Sequence, residues 1–275
     1  FNEVFGRKER MRMSHEVVQM EVADGIATLT MNRPEARNAL NGEMLQGLID
    51  AYRRCRDDER VRVVVLTGRG KAFSAGGDLK EFATERDKRQ SSYDTYVERR
   101  KLVEFFETQI NLGKPTISAV NGHALAGGFG VALSNDFVIA SEDALMGATE
   151  INIGLFPMMI MAVIFRYAPR RKGMEYIFTG DVFKASRALE DGLINKVVPA
   201  DRVMEEAYAL ARKLASKSGA TLRLGRDAFY TMSDMNIGEA LRYLSSMLVV
   251  NLNIDDAREG LASFLEKREA QWKHR

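Results

Sequence analysis

The feature that most constrains the fold is a strand, a glycine-rich turn and a helix start in direct succession. The run from Thr116 to Val120 is short and strand-like, Asn121 to Gly128 forms the turn, and an apolar helical pattern follows. Similar units begin near Val61 and near Phe137, with no fixed short period. A chain that alternates strands, turns and helices in this way builds layered α/β structure. The sequence therefore predicts stacked strand–strand–helix turns and not a simple solenoid.

The glycine-rich turn is suited to hold a negative charge. The first turn of a helix has backbone N–H groups without internal partners, and the helix dipole adds positive potential there. Gly127 and Gly128 carry no side chains, so a ligand can approach the main chain closely. That ligand is either a phosphate or an oxyanion that forms during a reaction.

A second glycine-containing loop, Gly68 to Gly77, matches neither of two common nucleotide-binding motifs. Val65 and Ala72 occupy the first-glycine and Ser/Thr positions of a P-loop, and Phe73 stands at the third glycine of a dinucleotide fingerprint. The loop ends in Ala75-Gly76-Gly77, much as the first ends in Ala126-Gly127-Gly128. If the strands are neighbours, one N–H from each loop can converge on a single oxygen. The alternative is that these glycines only form tight turns.

Glu150 is the candidate acid/base. It lies in the mostly apolar segment Met146 to Gly154, and burial in such surroundings raises the pKa of a carboxyl towards neutrality. A capping or surface glutamate is the alternative interpretation. Three other polar residues are predicted to be structural: His123 in the turn, Asp78 as a helix cap, and Asp136 as a hydrogen-bonding residue of the core.

Composition excludes several classes of protein. The net charge of +2 gives no support for nucleic-acid binding, and the single cysteine, Cys55, cannot form an intrachain disulfide. No apolar run approaches the ~18 residues that span a bilayer, so we expect no membrane association. We expect a cytoplasmic protein, or one of an organelle matrix if the N-terminal residues are the remnant of a leader.

Three regions are predicted along the chain. Residues 1–14 are basic and polar and are interpreted as a flexible extension, and residues 15–200 as the strand-containing catalytic core. From Arg202 onward every segment has a helical pattern, so residues 201–275 form a C-terminal helical region.

The chain resembles the crotonase (enoyl-CoA hydratase/isomerase) superfamily from about Val17 to Lys273. Each matching motif is moderately specific, and their order and spacing are highly specific. The motifs are N-R-P-E-A-R-N-A-L at 32–40, F-S-A-G-G-D-L-K at 73–80, V-N-G-H-A-L-A-G-G at 120–128, A-T-E-I-N-I-G-L-F-P at 148–157, A-L-E-D-G-L-I-N-K-V-V-P at 188–199 and F-L-E-K-R at 264–268.

The resemblance implies a ClpP/crotonase-like spiral of ββα turns, followed by helices that form a homotrimer or a dimer of trimers. It also implies an acyl- or enoyl-CoA thioester as substrate, with coenzyme A as part of that substrate and with no metal or other cofactor. The backbone N–H groups of Ala75 and Gly127 would hold the thioester oxygen, and Glu150 would move the proton. The implied CoA-binding residues are Ala36, Arg37, Ala75, Gly76, Asp78, Leu79, Gly127, Phe264 and Lys267, the last two often contributed by a neighbouring subunit.

One departure from the family pattern affects the expected reaction. Hydratases of the family carry a first glutamate three residues after the position of Gly127, and here that residue is Gly130. Bulky residues, Met158 to Met161, also replace a glycine-rich segment, where they either narrow the pocket or fill the core. A single carboxylate suits the shift of a 3-enoyl-CoA to a 2-enoyl-CoA. The alternatives are a 2-enoyl-CoA hydratase in acyl-CoA degradation and a non-catalytic acyl-CoA-binding subunit.

Overall fold

The structure is a computed structural model, and it describes residues 17–87 and 91–275. The predicted extension, residues 1–14, lies outside the described residues. The prediction of stacked ββα turns is confirmed. Two sheets lie at its centre, and helices cover them.

The larger sheet has six strands in the order β1-β2-β3-β5-β7-β10. The first two strands form an antiparallel hairpin, with Asp24 and Gly25 at positive φ in its turn, and the other strand pairs of this sheet are parallel. The central strands β3 and β5 are buried along their whole length because both of their faces are covered. The strands are Val18–Ala23 (β1), Ile26–Met31 (β2), Val63–Gly68 (β3), Thr116–Val120 (β5), Phe137–Ser141 (β7) and Lys196–Val198 (β10).

The smaller sheet has four short strands in the order β4-β6-β8-β9, and it is formed largely by segments that the sequence pattern presents as loops. The strands are Ala72–Ser74 (β4), His123–Leu125 (β6), Leu145–Gly147 (β8) and Phe183–Lys184 (β9). Because β4 and β6 pair in parallel, the loops that follow them lie side by side. This pairing is what brings the two glycine-containing loops together.

The helices agree with the predicted pattern, and Asn41 caps the first one by accepting a hydrogen bond from the Met44 N–H at 2.9 Å. Only helices follow the last strand among the residues that the structure describes. The helices are Gly42–Asp57 (α1), Leu79–Asp87 (α2), Ser92–Ile110 (α3), Gly127–Leu133 (α4), Met158–Tyr167 (α5), Arg170–Thr179 (α6), Ala185–Glu190 (α7), Val203–Ala215 (α8), Gly219–Met232 (α9), Ile237–Asn253 (α10) and Asp255–Glu266 (α11).

Helix α8 packs on the larger sheet. Its residues Val203, Ala207 and Ala211 are buried in one hydrophobic cluster with Val63 and Ile117 of the sheet. The other face of the sheet packs into the larger core with α1, α4 and α5. Although the chain changes character near residue 200, the first helix after that point therefore covers the catalytic core, and the more peripheral helices begin with α9.

A buried polar cluster joins α9 to the sheet. The Asp136 carboxylate accepts hydrogen bonds from the Thr116 N–H at 2.8 Å, from the Arg226 guanidinium at 2.8 Å and from the Tyr230 hydroxyl at 2.6 Å. Arg226 also donates to the carbonyls of Gln109 and Ile110 at the end of α3. The predicted role of Asp136 in supporting the core is confirmed.

Candidate active site

A cavity of about 1180 Å³ lies where the two glycine-containing loops meet α5 and the first turn of α1. It is lined by both predicted oxyanion loops, by Glu150 and by the segment that begins at Pro157. The sequence-predicted residues in its wall are Ala36, Arg37, Ala75, Asp78, Leu79, Gly127 and Glu150. Residues from five separated stretches of the chain thus meet around one space.

Glu150 is placed for proton transfer. It lies in a short 3₁₀ turn, Thr149–Ile153, directly after β8, and its Oε2 is buried without a hydrogen-bond partner among the residues that the structure describes. Burial raises the pKa of its carboxyl, and a hydrogen bond from its own backbone N–H opposes this only in part. Burying an ionised oxygen without hydrogen-bond donors costs free energy. A carboxylate of this kind is expected in a site where a bound substrate supplies the missing hydrogen bond.

The glycine-rich turn between β6 and α4 presents the Gly127 N–H at the start of α4. Ala126, the preceding residue, has φ 49° and ψ −129°, a conformation that residues with a side chain rarely adopt. Its N–H donates to the Gly147 carbonyl at 2.8 Å, which holds this sharp turn between β6 and α4. Backbone strain of this kind is found where the surrounding structure fixes a functional geometry. Gly127 follows with its N–H at the cavity.

The prediction that Ala75 supplies the other N–H is wrong. The Ala75 N–H donates to the Arg37 carbonyl at 3.0 Å and is therefore engaged within the protein. Gly77 is better placed. It forms a parallel bridge with Leu40, in which the Gly76 carbonyl and the Asp78 N–H point towards Leu40, so the Gly77 N–H points the opposite way.

Gly77 and Gly127 lie close together across the cavity wall. The Gly77 nitrogen is 3.7 Å from the point that a Cβ on Gly127 would occupy, and both residues line the cavity. Neither N–H has an acceptor among the described residues. The structure thus offers two backbone donors, one from each loop, without acceptors among the described residues, in the cavity that Glu150 also lines. No sequence signal separates Gly77 from Ala75, because the direction of each N–H depends on the bridge to Leu40.

Two of the other predicted binding residues, Asp78 and Gly76, have partners within the protein. Asp78 lines the cavity but is engaged: it forms an ion pair with Arg33 at 3.0 Å and caps α2, as predicted. Gly76 is absent from the cavity wall, and its φ of 88° and its hydrogen bonds to Leu40 and Ser74 give it a role in the turn. Its predicted contact with the substrate is therefore not supported by its position.

Phe264 and Lys267 lie apart from the cavity of their own chain. Phe264 is 81% exposed near the end of α11, and Lys267 caps that helix with φ 55°. Neither lines the cavity. Within one chain, these residues therefore do not complete the site.

The methionine-rich start of α5 serves both of the roles considered for it. Met158, Met159 and Ile160 line the cavity, and Met159, Ile160 and Met161 also pack in or against the hydrophobic core. His123 has a structural role, since its Nδ1 accepts a hydrogen bond from the Leu145 N–H at 3.2 Å. The wall beyond Glu150 is consequently built of hydrocarbon side chains.

Comparison with known proteins agrees with the family resemblance of the sequence motifs. Residues 21–275 match the family model described as enoyl-CoA hydratase/isomerase. The chain belongs to the enoyl-CoA hydratase/isomerase family. It is 36% identical over 267 residues to a probable enoyl-CoA hydratase of Rhizobium meliloti, an alignment that covers 96% of this chain and 100% of the relative. It is therefore an enzyme of the hydratase/isomerase type.

Two further similarities extend this assignment. The chain is 34% identical to the human enoyl-CoA hydratase domain-containing protein 3, mitochondrial, over 91% of this chain and 82% of that protein. The crystal structure of an enoyl-CoA hydratase from Mycobacterium smegmatis has a TM-score of 0.88 at 32% identity, over 93% of this chain and 98% of the other.

No helix in the described part of the chain is long and apolar enough to cross a membrane.

Proposed function

We propose that this enzyme moves the double bond of a 3-enoyl-CoA thioester to the 2,3 position. Glu150 takes a proton from C2, negative charge develops on the thioester oxygen as the electrons shift, and the protonated Glu150 returns the proton to C4. No atom enters or leaves the substrate. The observation that carries the proposal is the buried, unpartnered Oε2 of Glu150 at the same cavity as the Gly77 and Gly127 N–H groups.

The other carboxylates in the cavity wall are less suited to this step, since two of them have partners within the protein and the third, Glu35, is exposed. Asp78 is paired with Arg33, and both oxygens of Glu81 accept the Gly42 N–H at 3.2 Å, at the start of α1. Both groups are thus engaged within the protein, and the Arg33 guanidinium holds the pKa of the Asp78 carboxyl below its usual range. Of the carboxylates in the cavity wall, Glu150 is the one with a buried oxygen that has no hydrogen-bond partner in the described part of the chain.

The two backbone donors supply the charge stabilisation that the step needs. Removing a proton from C2 places negative charge on the thioester oxygen, and a preorganised N–H beside that oxygen lowers the barrier by about 3 kcal/mol. We assign this role to Gly77 and Gly127. Because both N–H groups are fixed by the backbone, they require no rearrangement during the reaction.

The coenzyme A portion of the substrate would extend towards the charged side of the cavity. Arg37 is exposed in the wall there, next to Ala36, and can pair with a phosphate of the nucleotide. We also propose a homotrimer or a dimer of trimers, in which Phe264 and Lys267 cover the nucleotide bound to a neighbouring subunit. Large exposed apolar side chains on α10 and α11 support this assembly, among them Ile237, Leu241 and Leu265. Light scattering of the purified protein tests it.

Hydration of a 2-enoyl-CoA is the second candidate. Relatives such as the protein of Rhizobium meliloti bear the name of that activity. Hydration needs one group to activate water and another to handle the proton at C2. Glu150 can fill one of these roles, but Gly130 supplies no side chain for the other, and this is why we favour the isomerisation.

The test is to incubate the purified protein with a 3-enoyl-CoA and, separately, with a 2-enoyl-CoA, and to follow both by chromatography. We expect the first to become conjugated and the second to take up little water. Glu150→Gln should lower the isomerisation at least about 100-fold. The control is Glu190→Gln, which changes an exposed glutamate in α7 and should leave the rate unaltered.

Binding measurements separate loss of chemistry from loss of binding. Glu150→Gln should bind a saturated acyl-CoA about as well as the unchanged enzyme in calorimetry. Fast hydration that survives Glu150→Gln would overturn the assignment of this residue. Tight binding of acyl-CoA with no turnover of either thioester would instead favour a non-catalytic acyl-CoA-binding subunit.

A further inference from the structure

Gly130 is covered by Ile160. The side chain of Ile160 is 2% exposed, and it approaches Gly130 from α5. A Cβ on Gly130 would lie 2.2 Å from Ile160 Cγ2 and 2.7 Å from Ile160 Cβ. Both distances are shorter than any ordinary contact between carbon atoms. Gly130 is thus required by the packing of α4 against α5, and the space in front of it is already filled.

This contact lies beside the reacting groups. Gly130 is one helical turn after Gly127, so the two residues share a face of α4. Ile160 lines the same cavity as Gly127 and Glu150. A side chain at position 130 would have to pass through the volume that Ile160 holds in order to reach the substrate.

We propose that Ile160 is a specificity-determining residue, which selects proton return over hydration. Hydration adds a hydroxyl group to C3 and a proton to C2, so it needs water and an activating group at C3. Isomerisation needs neither, because the proton removed from C2 returns to C4. By filling the space over Gly130 with hydrocarbon, Ile160 keeps both the water and a second acid/base side chain away from the enolate. This inference rests on the proposed function and names the residue that sets its outcome.

The first test rebuilds the missing group. Gly130→Glu is combined with Ile160→Gly, since an alanine at position 160 would keep the Cβ that lies 2.7 Å from the new side chain. We expect the double variant to hydrate a 2-enoyl-CoA at least tenfold faster than the unchanged enzyme. Gly130→Glu alone should gain no hydration. The matched control is Gly130→Glu with Val163→Gly, which loosens α5 at a residue that does not line the cavity.

The second test needs no new side chain. The isomerisation is run in heavy water with the unchanged enzyme and with Ile160→Gly, and the deuterium in the product is measured by mass spectrometry. We expect the unchanged enzyme to return mostly the substrate's own proton. Ile160→Gly should raise deuterium incorporation severalfold, because water can then exchange with the protonated Glu150. Val163→Gly should not.

The outcomes separate this inference from the proposed function. If the unchanged enzyme does not isomerise a 3-enoyl-CoA, the proposed function fails, and a gain of hydration in the double variant still supports the role of Ile160. If the unchanged enzyme isomerises but the folded double variant gains no hydration, the inference fails alone. It also fails if Gly130→Glu by itself hydrates as fast as the double variant. Equal deuterium incorporation with Ile160→Gly overturns it even if the glutamate variants do not fold.

Discussion

Replacing Asp136 by alanine should destabilise the protein severely. Its carboxylate is 15% exposed and accepts hydrogen bonds from Thr116, Arg226 and Tyr230. The partner guanidinium of Arg226 is only 6% exposed, so the substitution leaves a buried positive charge without its counter-ion. The Arg226 guanidinium would keep only its bonds to the carbonyls of α3.

The magnitude follows from the desolvated charge. Breaking a buried ion pair by removing one partner costs about 3–5 kcal/mol, whereas replacing both partners with apolar residues is often close to neutral. We therefore expect Asp136→Ala to lower the free energy of unfolding by about 3–5 kcal/mol. Asp136→Leu combined with Arg226→Met should lower it by less than Asp136→Ala does.

The assay is equilibrium unfolding in urea, followed by circular dichroism at one fixed protein concentration, because assembly would make stability depend on concentration. Asp234→Ala is the control. Asp234 forms an ion pair with Arg166 at the surface, where the two side chains are 73% and 54% exposed, respectively. Its loss should change the free energy of unfolding by less than about 1 kcal/mol. A loss below 1 kcal/mol for Asp136→Ala would refute the assignment of this pair as an anchor between α9 and the sheet.

Three further predictions concern the site. Glu150→Gln should stabilise the protein at neutral pH, because burial raises the pKa of the Glu150 carboxyl in the folded state. This gain in the free energy of unfolding should disappear as the pH falls below the ordinary carboxyl pKa, and unfolding measured at several pH values tests it. The pH profile of kcat/KM should fall on the acid side, with a midpoint above the ordinary glutamate pKa of about 4.3, because burial raises the pKa of Glu150. A midpoint at or below about 4.3 would argue against Glu150 as the base. Gly130→Ala should cost about 1–3 kcal/mol by overpacking, and Ile160→Gly should recover part of that loss in a double-mutant cycle of melting experiments.

Local patterns were sufficient for most of the elements. The hairpin, the buried strand that contains Val64 and the cap at Asn41 depend on neighbours within a few residues, so the sequence predicts them well. The short strands of the smaller sheet were harder to predict. Segments such as Ala72–Ser74 are three residues long, and only their pairing with distant segments makes them strands.

The candidate site shows the same division. Glu150 could be selected from the sequence, because a carboxylate in an apolar segment has few explanations other than function or capping. The choice between Ala75 and Gly77 could not be made in that way. Both lie in the same small-residue loop, and only the bridge to Leu40 decides which N–H faces the cavity.

The sequence by itself determined the family, the alternation of strands and helices, and the chemical type of the acid/base group. It did so because motifs, periodicity and composition are properties of nearby residues. Tertiary structure alone decided where the backbone donors point, that Asp136 meets Arg226 from a helix 90 residues later, and that Ile160 fills the space in front of Gly130. Each of these depends on contacts between segments that are distant along the chain, and packing fixes such contacts only when the whole fold is formed.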